Sequence, residues 1–536
     1  MTAEAFSDET LVIARLRELV DHSTPWHRSL WQIGSVLALR EVIEYANGVR
    51  SGVAKSEGLA YVTKSAATAL GRDLGLGAGE VRNEIVRILA CGVHKTEGVL
   101  NESVAASLEQ LIRRVDGDYL ANWESAHARG DVSDQNLELM SRAVIAHLLD
   151  ADFAPDHLHG WLLASSDRVD VTLASVMAQA SEMCGRDAVS YEVHVPFTAL
   201  SPEIVASAGS RFLEWDAFVT WLADQSLPAL KAREGVGALK FSVSAREPKG
   251  AIAAAEIEVR RLTARAAVGL ASGTVQPVGV AIVVPAATPR WRQLRSRQRE
   301  ILLSSITRHG LLLPASRTGE GRALDDAFEL LAAAETATSW TSVAAMWAAV
   351  EGLLTRSGDS GVAAADRMAA VVAGGFMRAE LTQLVDVLAS NDDLLGEAMR
   401  TETRLTAKMD AVLNAVQNGT TLQLTDPTDV AAVARVRNAL GDAAGTMDRV
   451  RGYYRDAFRR LYMQRNLLLH GGRFDSVALP ATMRTLPPLV AAGLDRLVHG
   501  AMQDPPTDPF GLAARAENEL TLLGKPEARS IHRMLE

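Results

Sequence analysis

The chain has 536 residues, of which 48% are hydrophobic and 22% charged, and its formal net charge at pH 7 is −10. This length and composition are typical of a globular protein with about three domains, and they exclude a chain that is disordered throughout. Because the net charge is negative, the surface as a whole does not attract nucleic acid, and any RNA site must be a local basic patch.

The sequence also bears on the compartment. It contains no apolar run of the roughly 18 residues that would span a bilayer, and residues 1–9 lack the basic start and apolar core of a secretion signal. Cys91 and Cys184 are the only cysteines, which suits a reducing compartment and excludes a zinc site built mainly from thiolates. We therefore expect a cytoplasmic protein with no membrane partner.

Residues 1–187 are predicted to form a helical N-terminal domain. Ser7 begins a helical pattern that continues to Val20, and Ser23-Thr24-Pro25 predicts the start of a second helix carrying Trp26 and Trp31. The glycine-rich stretch 71–79 is interpreted as a turn, because no strand precedes it and it lacks dinucleotide-binding spacing. Asp156-His157-Leu158-His159 could offer a metal pair, but no third ligand is visible, so the start of a surface helix is favoured.

The sequence pattern changes at residues 188–286 and predicts a small α/β domain. Stretches 190–197, 236–244 and 275–284 are rich in β-branched residues or alternate in polarity, as strands do. Helical patterns at about 211–225 and 250–269 separate them. No nucleotide-binding loop or catalytic pairing is visible here. A structural role and a sensory role both stay open.

The densest basic run, residues 288–299, has two interpretations. It could contact an RNA backbone, with Trp291 available for stacking on a base. Alternatively it is the solvated face of a helix whose apolar side carries Trp291, Leu294, Ile301 and Leu302. The helical interpretation is slightly favoured, because arginine is plentiful throughout the chain.

Residues 287–505 predict a helical bundle, and residues 506–536 a tail with a short helix at about 511–523. Asn418-Gly419 and Asp426-Pro427 interrupt the helical pattern. The span 391–425 is interpreted as an insertion, and residues 486–498 as the last helix of the bundle.

One helix of this region has a distinctive end. Its pattern predicts a start near Gly445 and a stop at Gly471-Gly472, since paired glycines are a strong stop signal. At about 100° per residue the last turns have two sides. Leu461 and Leu468 fall on one side. Arg465 lies off the opposite face, which carries Arg459, Tyr462, Asn466 and His470.

These residue types suit phosphate chemistry. A histidine titrates near neutral pH and can take a proton from a ribose 2′-hydroxyl or return one to a leaving oxygen. An arginine holds phosphate oxygens bidentately and stabilises developing charge. Asn466 can orient either the histidine or the substrate. No carboxylate cluster that could hold magnesium lies nearby in the sequence, so we expect cleavage without a metal or other cofactor. Arginines of the same helix would guide RNA to the site: Arg449, Arg451, Arg455, Arg459 and Arg460.

Spacing alone decides nothing, because Arg142 and His147 repeat it. The context is more specific. Arg465-Asn466, followed after three residues by His470-Gly471, resembles the signature of the HEPN superfamily. Residues 345–354, with Trp347 ahead of Glu351, look like the opening helix of Apea-like HEPN domains, and residues 365–372 are similar to their second helix. The resemblance covers roughly residues 320–505.

The resemblance implies a helical bundle that dimerises, so that two motifs form one RNA-cleaving cleft. It implies a metal-independent endoribonuclease of a toxin or anti-phage system, with Arg465, Asn466 and His470 catalytic. We expect Arg455, Arg459 and Tyr462 to bind the RNA. The expected partners are RNA, a second copy of the chain, and a regulatory or phage-derived trigger. Gly472 stands where related toxins with a nucleotidyltransferase antitoxin carry a modifiable tyrosine, so that regulation is unsupported.

Two alternatives stay open. The C-terminal region could be a catalytically inactive HEPN domain that binds RNA, a nucleotide or a protein. It could also be a purely helical scaffold in which Arg465 and His470 are a buried polar pair. In the leading hypothesis the N-terminal half holds the nuclease in check.

Overall fold

The computed structural model describes residues 6–77, 79–92, 102–132, 134–166, 171–230, 235–271, 273–286, 289–294, 301–313, 320–336, 338–391 and 393–536. These residues form mainly α-helices and one small antiparallel sheet, so the predicted mainly α class is confirmed. Residues 287–288 and 295–300 of the basic run lie outside the described part of the chain.

In the described part of residues 6–188, eight α-helices precede the sheet. They are α1 (Asp8–Val20), α2 (Ser35–Arg50), α3 (Ser56–Leu70), α4 (Gly79–Gly92), α5 (Glu102–Ala128), α6 (Asp134–Asp150), α7 (Pro155–Ser166) and α8 (Leu173–Cys184). The Ser7 side chain accepts a hydrogen bond from the backbone N–H of Thr10 at 3.2 Å, which caps α1 as its sequence predicts. Residues 74–76 form a 3₁₀ turn within the glycine-rich stretch, and α7 begins beside Asp156 as expected.

The predicted helix after Pro25 is wrong. Residues 26–28 make a single 3₁₀ turn, and the next helix begins only at Ser35. The reason is tertiary: the buried Arg28 side chain donates from Nε to Glu380 Oε1 and from Nη1 to Asp429 Oδ1, both at 2.9 Å. These contacts hold the segment against the C-terminal helices and outweigh the local capping signal.

The middle region contains β1 (Val189–Leu200), α9 (Pro202–Ala208), β2 (Phe212–Glu214), α10 (Trp215–Asp224), β3 (Gly237–Ala245), α11 (Pro248–Gly269), β4 (Val275–Pro277), β5 (Val280–Val284) and β6 (Arg292–Gln293). The strand order is β2-β3-β1-β5-β6, and β4 also pairs with β1. Alternate residues of β1 serve the two faces: Val193 and Val195 join the core under α11, whereas His194 stacks on Trp221 of α10 at 4.0 Å.

The expected strands are confirmed, with three corrections. The strand predicted at 275–284 is divided into β4 and β5 around Gly279, whose φ of 88° turns the chain. The helix predicted from 211 starts four residues later, because residues 212–214 pair with β3. In the basic run, Arg292–Gln293 pairs with β5, so the helical interpretation is wrong for those residues. The Trp291 side chain donates from Nε1 to the carbonyl oxygen of Pro228 at 2.9 Å.

The C-terminal helices are α12 (Ser304–Arg308), α13 (Glu320–Thr336), α14 (Ser339–Leu354), α15 (Ala363–Leu388), α16 (Leu394–Thr401), α17 (Leu405–Gln417), α18 (Pro427–Gly441), α19 (Ala443–Gly471), α20 (Leu479–Ala501) and α21 (Pro509–Leu522). Helices α14, α15, α19 and α20 pack together around one apolar core. The interruptions expected at Asn418 and Asp426 fall between α17 and α18, and α21 is the short helix expected in the tail.

By contacts the chain divides into two compact units. One comprises Met1–His147, Leu162–Gln179 and Arg299–Glu536, and the other comprises Leu148–Trp161 and Ala180–Gln298. The first unit therefore unites most of the N-terminal helices with the C-terminal bundle. Within the described residues, no helix is both long and apolar enough to cross a membrane.

Candidate functional site

The three sequence segments that resemble HEPN domains lie on α14, α15 and α19, which pack against one another. Helix α19 begins at an Asp442 cap, whose side chain accepts from the Gly445 N–H at 2.9 Å. It ends at Gly472 with a φ of 60°, and the Gly472 N–H donates to the Leu468 carbonyl oxygen at 3.0 Å. A left-handed glycine, two residues after His470, closes the helix at the predicted glycine pair.

The two sides of α19 are as expected. Leu461 and Leu468 are buried in the bundle core, at 0% and 4% exposure. Tyr462, Arg465 and Asn466 are partly exposed, and His470 is exposed. This arrangement contradicts the scaffold alternative, in which Arg465 and His470 would form a buried pair.

Arg465 lies among polar side chains. Its Nη1 donates to Asn466 Oδ1 at 3.0 Å, and its Nη2 lies 3.9 Å from Glu351 Oε2 on α14. The Arg465 and Glu351 side chains are 26% and 37% exposed, so this ion pair is screened by water and contributes little to stability. Its effect is positional, because Asn466 and Glu351 hold the guanidinium group at the surface of the bundle. No sequence pattern indicates this role for Glu351.

His470 has a different environment. Within the described residues, no hydrogen bond or ion pair joins its ring to Arg465 or to any other side chain. A separation of five residues rotates the two side chains by about 140° and displaces them by about 7.5 Å along the helix axis. One copy of α19 therefore presents both groups at its end but does not bring them together.

The three residues expected to bind RNA differ in the contacts that their side chains make. Arg459 donates from Nε and Nη2 to the two carboxylate oxygens of Asp366 at 2.6 and 2.5 Å, and its guanidinium lies 4.2 Å from the centre of the Tyr61 ring. A cation held this way is not freely available to a phosphate. Arg455 is partly exposed, and its buried Nε has no hydrogen-bond partner among the described residues. The Tyr462 ring lies 5.1 Å from that of Trp347.

The N-terminal helices reach the motif helix, which the sequence alone does not reveal. Arg460 donates from Nε to both Glu41 oxygens, at 2.9 and 3.1 Å, in an almost fully buried pair. Tyr61 and Ser65 of α3 donate to Asp456, the serine at 2.7 Å. Burial, followed by the nearby Asp456 carboxylate, raises the pKa of Tyr61 above its ordinary value, so the phenol stays protonated.

The turn after the motif is also anchored to α2. Ser476 donates to Glu44 Oε2 at 2.7 Å, and the Val477 N–H donates to Glu44 Oε1 at 3.3 Å. Burial raises the pKa of Glu44 above its ordinary value, although these two hydrogen bonds oppose the shift. The end of α19 therefore depends on contacts from the N-terminal half of the chain.

The second Arg/His pair of equal spacing offers a direct comparison. Arg142 and His147 are 4% and 5% exposed on α6. The Arg142 guanidinium lies 4.0 Å from the centre of the Trp31 ring and donates to the Ser29 carbonyl oxygen at 2.8 Å. His147 stacks on Tyr119 with ring centroids 4.4 Å apart. This pair is structural.

One pocket lies away from the motif. A pocket of about 470 Å³ is formed between α17, α18 and the C-terminal segment, with Asp410, Asn414 and His532 among its lining residues. In the part of the chain that the structure describes, no group of three or more His, Cys, Asp or Glu side chains is arranged to hold a metal ion.

No family model, curated protein or solved structure matches the chain. The case for a function therefore depends on the residues themselves.

Proposed function

We propose that the chain is a metal-independent endoribonuclease of the HEPN type, acting in the cytoplasm as a toxin or anti-phage effector. The observation that carries the proposal is the end of α19, where an exposed histidine follows an Arg465-Asn466 pair at the surface of a helical bundle. Arg142 and His147 on α6 have the same spacing but are buried, so accessibility distinguishes the α19 pair from that structural pair.

In the proposed reaction His470 takes the proton of a ribose 2′-hydroxyl, and the 2′ oxygen attacks the adjacent phosphorus. The bond from phosphorus to the 5′ oxygen breaks, and that oxygen receives a proton. The products are a 2′,3′-cyclic phosphate and a 5′-hydroxyl. Arg465 stabilises the charge that builds on the phosphate oxygens, and Asn466 keeps the guanidinium in position.

We propose that two copies of the chain complete the site. Because Arg465 and His470 of one helix point in different directions, a twofold axis beside α19 would let arginine from one copy meet histidine from the other. Two histidines in one cleft would also supply both a base and an acid.

A non-catalytic binding module is the second candidate. The observation that favours it is the position of Arg465, whose guanidinium group lies beside Asn466 and Glu351 and not beside His470. Such a module would bind RNA, a nucleotide or a protein through the same helix end.

The test is to incubate the full-length protein with single-stranded RNA in EDTA and to map the new ends. We expect 2′,3′-cyclic phosphates from the wild type and none from His470→Ala. Cleavage that requires added magnesium or manganese would contradict the metal-independent mechanism. RNA binding without cleavage under every condition would favour the second candidate.

The full chain is the right material for this test. A fragment of residues 287–505 would lose Glu41, which pairs with the buried Arg460, and Arg28, one of two arginines that pair with the buried Glu380. Uncompensated buried charges are strongly destabilising, so an inactive fragment would be uninformative. If the N-terminal half restrains the enzyme, full-length Tyr61→Phe should raise activity, because it removes one hydrogen bond to Asp456 on α19 and keeps the ring over Arg459.

A further inference from the structure

An exposed aromatic pair lies at the end of the motif helix, and the proposed chemistry does not use it. Trp340, in the first turn of α14, is 43% exposed, and Phe474, four residues after His470, is 55% exposed. Their ring centroids are 5.2 Å apart with the planes at 65°, an edge-to-face contact. Leu469 and Val477, five residues before and three residues after Phe474 in the sequence, are 58% and 40% exposed. Several large apolar side chains exposed together indicate a binding surface.

The pair lies close to His470. Trp340 and Trp347 are seven residues apart on α14, two helical turns on one face, or about 10 Å. Trp347 contacts Tyr462, whereas Trp340 contacts Phe474. Helix α14 therefore follows the last turns of α19, and Trp340 comes level with the turn that begins after His470.

The backbone around Phe474 is held on both sides. Before it, the Arg473 N–H donates to the Leu467 carbonyl oxygen at 3.2 Å, which folds the chain back on the end of α19. After it, the Ser476 hydroxyl donates to Glu44 at 2.7 Å. The Phe474 ring is thus presented to solvent from a fixed turn and needs little ordering to accept a ligand.

The charges around the pair favour a phosphate chain. Arg465, His470 and Arg473 are the basic groups of this helix end, and Glu351, Asp475 and the buried Glu44 are the acids. Glu351 lies 3.9 Å from Arg465, and Asp475 is exposed. An apolar ring pair bordered by such groups suits a base together with its phosphate better than the apolar core of an obligate protein interface.

We propose that Trp340 and Phe474 form a stacking platform for an unpaired nucleobase of RNA beside His470. This inference rests on the proposed function and assigns the substrate class of the same site. A base stacks on an aromatic ring through its π face, which duplex pairing and stacking would hide. The platform therefore selects single-stranded RNA and places the neighbouring phosphate near the Arg/His pair.

The test separates binding from cleavage. A fluorescein-labelled oligonucleotide with 2′-O-methyl groups throughout cannot be cleaved, so its affinity for the full-length protein can be measured by anisotropy in EDTA. Because one base stacked on an aromatic ring contributes about 5- to 100-fold in affinity, Trp340→Ala and Phe474→Ala should each weaken binding by that order. Trp340→Phe should recover most of it. Leu394→Ala, which removes an exposed side chain without a π face at the start of α16, is the matched control and should change affinity less than about twofold. A duplex of the same sequence should bind equally to the wild type and to Trp340→Ala.

Three outcomes would overturn the platform, and they are distinguishable. Unchanged affinity in Trp340→Ala and Phe474→Ala, together with wild-type cleavage that His470→Ala abolishes, would reject the platform and leave the nuclease intact. A wild type that neither binds nor cleaves RNA would reject both. If light scattering shows that Trp340→Ala and Leu469→Ala dissociate an oligomer equally, while the released chains bind RNA as before, the surface is an interface between copies.

Discussion

The sharpest prediction compares the two histidines that follow an arginine at the same spacing. His470→Ala should lower the rate of RNA cleavage by about 10²- to 10⁴-fold, the usual contribution of a general acid or base. Stability should change little, because the His470 side chain is exposed and makes no hydrogen bond within the described residues. Substitutions at such surface positions usually change the free energy of unfolding by less than about 0.5 kcal/mol.

His147→Ala is the matched control with the opposite expectation. His147 is 5% exposed and stacks on the buried ring of Tyr119. Truncating a buried ring leaves a cavity and removes a stacking contact, at a cost of about 2–4 kcal/mol. His147→Ala should therefore lower the urea midpoint clearly, while the protein that stays folded keeps its cleavage activity.

The assay measures both quantities on the same preparations. Urea unfolding followed by far-UV circular dichroism gives stability, and sequencing of RNA ends with a cyclic-phosphate adaptor gives cleavage. If His470→Ala unfolds at markedly lower urea and its residual activity follows the folded fraction, the histidine is structural and the resemblance to HEPN nucleases is one of fold alone.

Three further predictions concern the motif and the buried histidine His27. Arg465→Lys should lose activity, since an ammonium keeps the charge but not the planar fork, and Asn466→Ala should show a milder defect; normal rates for Arg465→Lys in the EDTA assay would argue against bidentate phosphate contacts. Mixing Arg465→Ala chains with His470→Ala chains should restore cleavage at one composite site per dimer, whereas an active monomer in light scattering at micromolar concentration would refute the shared site. Burial lowers the pKa of His27 from 6.5 to about 4, so between these pH values the unfolded chain takes up a proton and the folded chain does not. The free energy of unfolding should therefore be highest above about pH 6.5 and fall by up to about 3 kcal/mol as the pH drops to 4. A urea midpoint that is equally pH-dependent in His27→Leu would contradict this.

The sequence predicts helices well where one periodic face meets one core. Helix α19 is the best case: its apolar spacing and its glycine pair are local signals with their expected effects, and it begins at Ala443, two residues before the predicted start. The segment after Pro25 shows the limit. Its capping signal is local, but its conformation depends on Arg28 reaching carboxylates roughly 350 to 400 residues away. No local pattern reveals such a partner.

The sequence likewise predicts only some features of the candidate site. Burial of Leu461 and Leu468 and exposure of His470 follow from helical geometry, so the sequence could predict them. The partner of Arg459 could not be predicted, because Asp366 and Tyr61 lie on α15 and α3. For the same reason the sequence predicts that Arg459 is available to RNA, whereas in the structure it is paired with Asp366. The platform residues Trp340 and Phe474 are 134 positions apart and become a pair only in the folded chain.

The Arg/His pairs of α6 and α19 have the same spacing but different surroundings. Residues 141–149 of α6 are all buried, so the helix is covered on every side and even Arg142 and His147, about 140° apart, both become internal contacts. The end of α19 is covered on one side only, and the same angular separation leaves its histidine in solvent. That angle leaves the α19 pair apart: Arg465 contacts Asn466 and Glu351, and within the described residues no hydrogen bond joins it to His470. We therefore propose that a second copy supplies the missing group, and the mixing experiment tests that proposal directly.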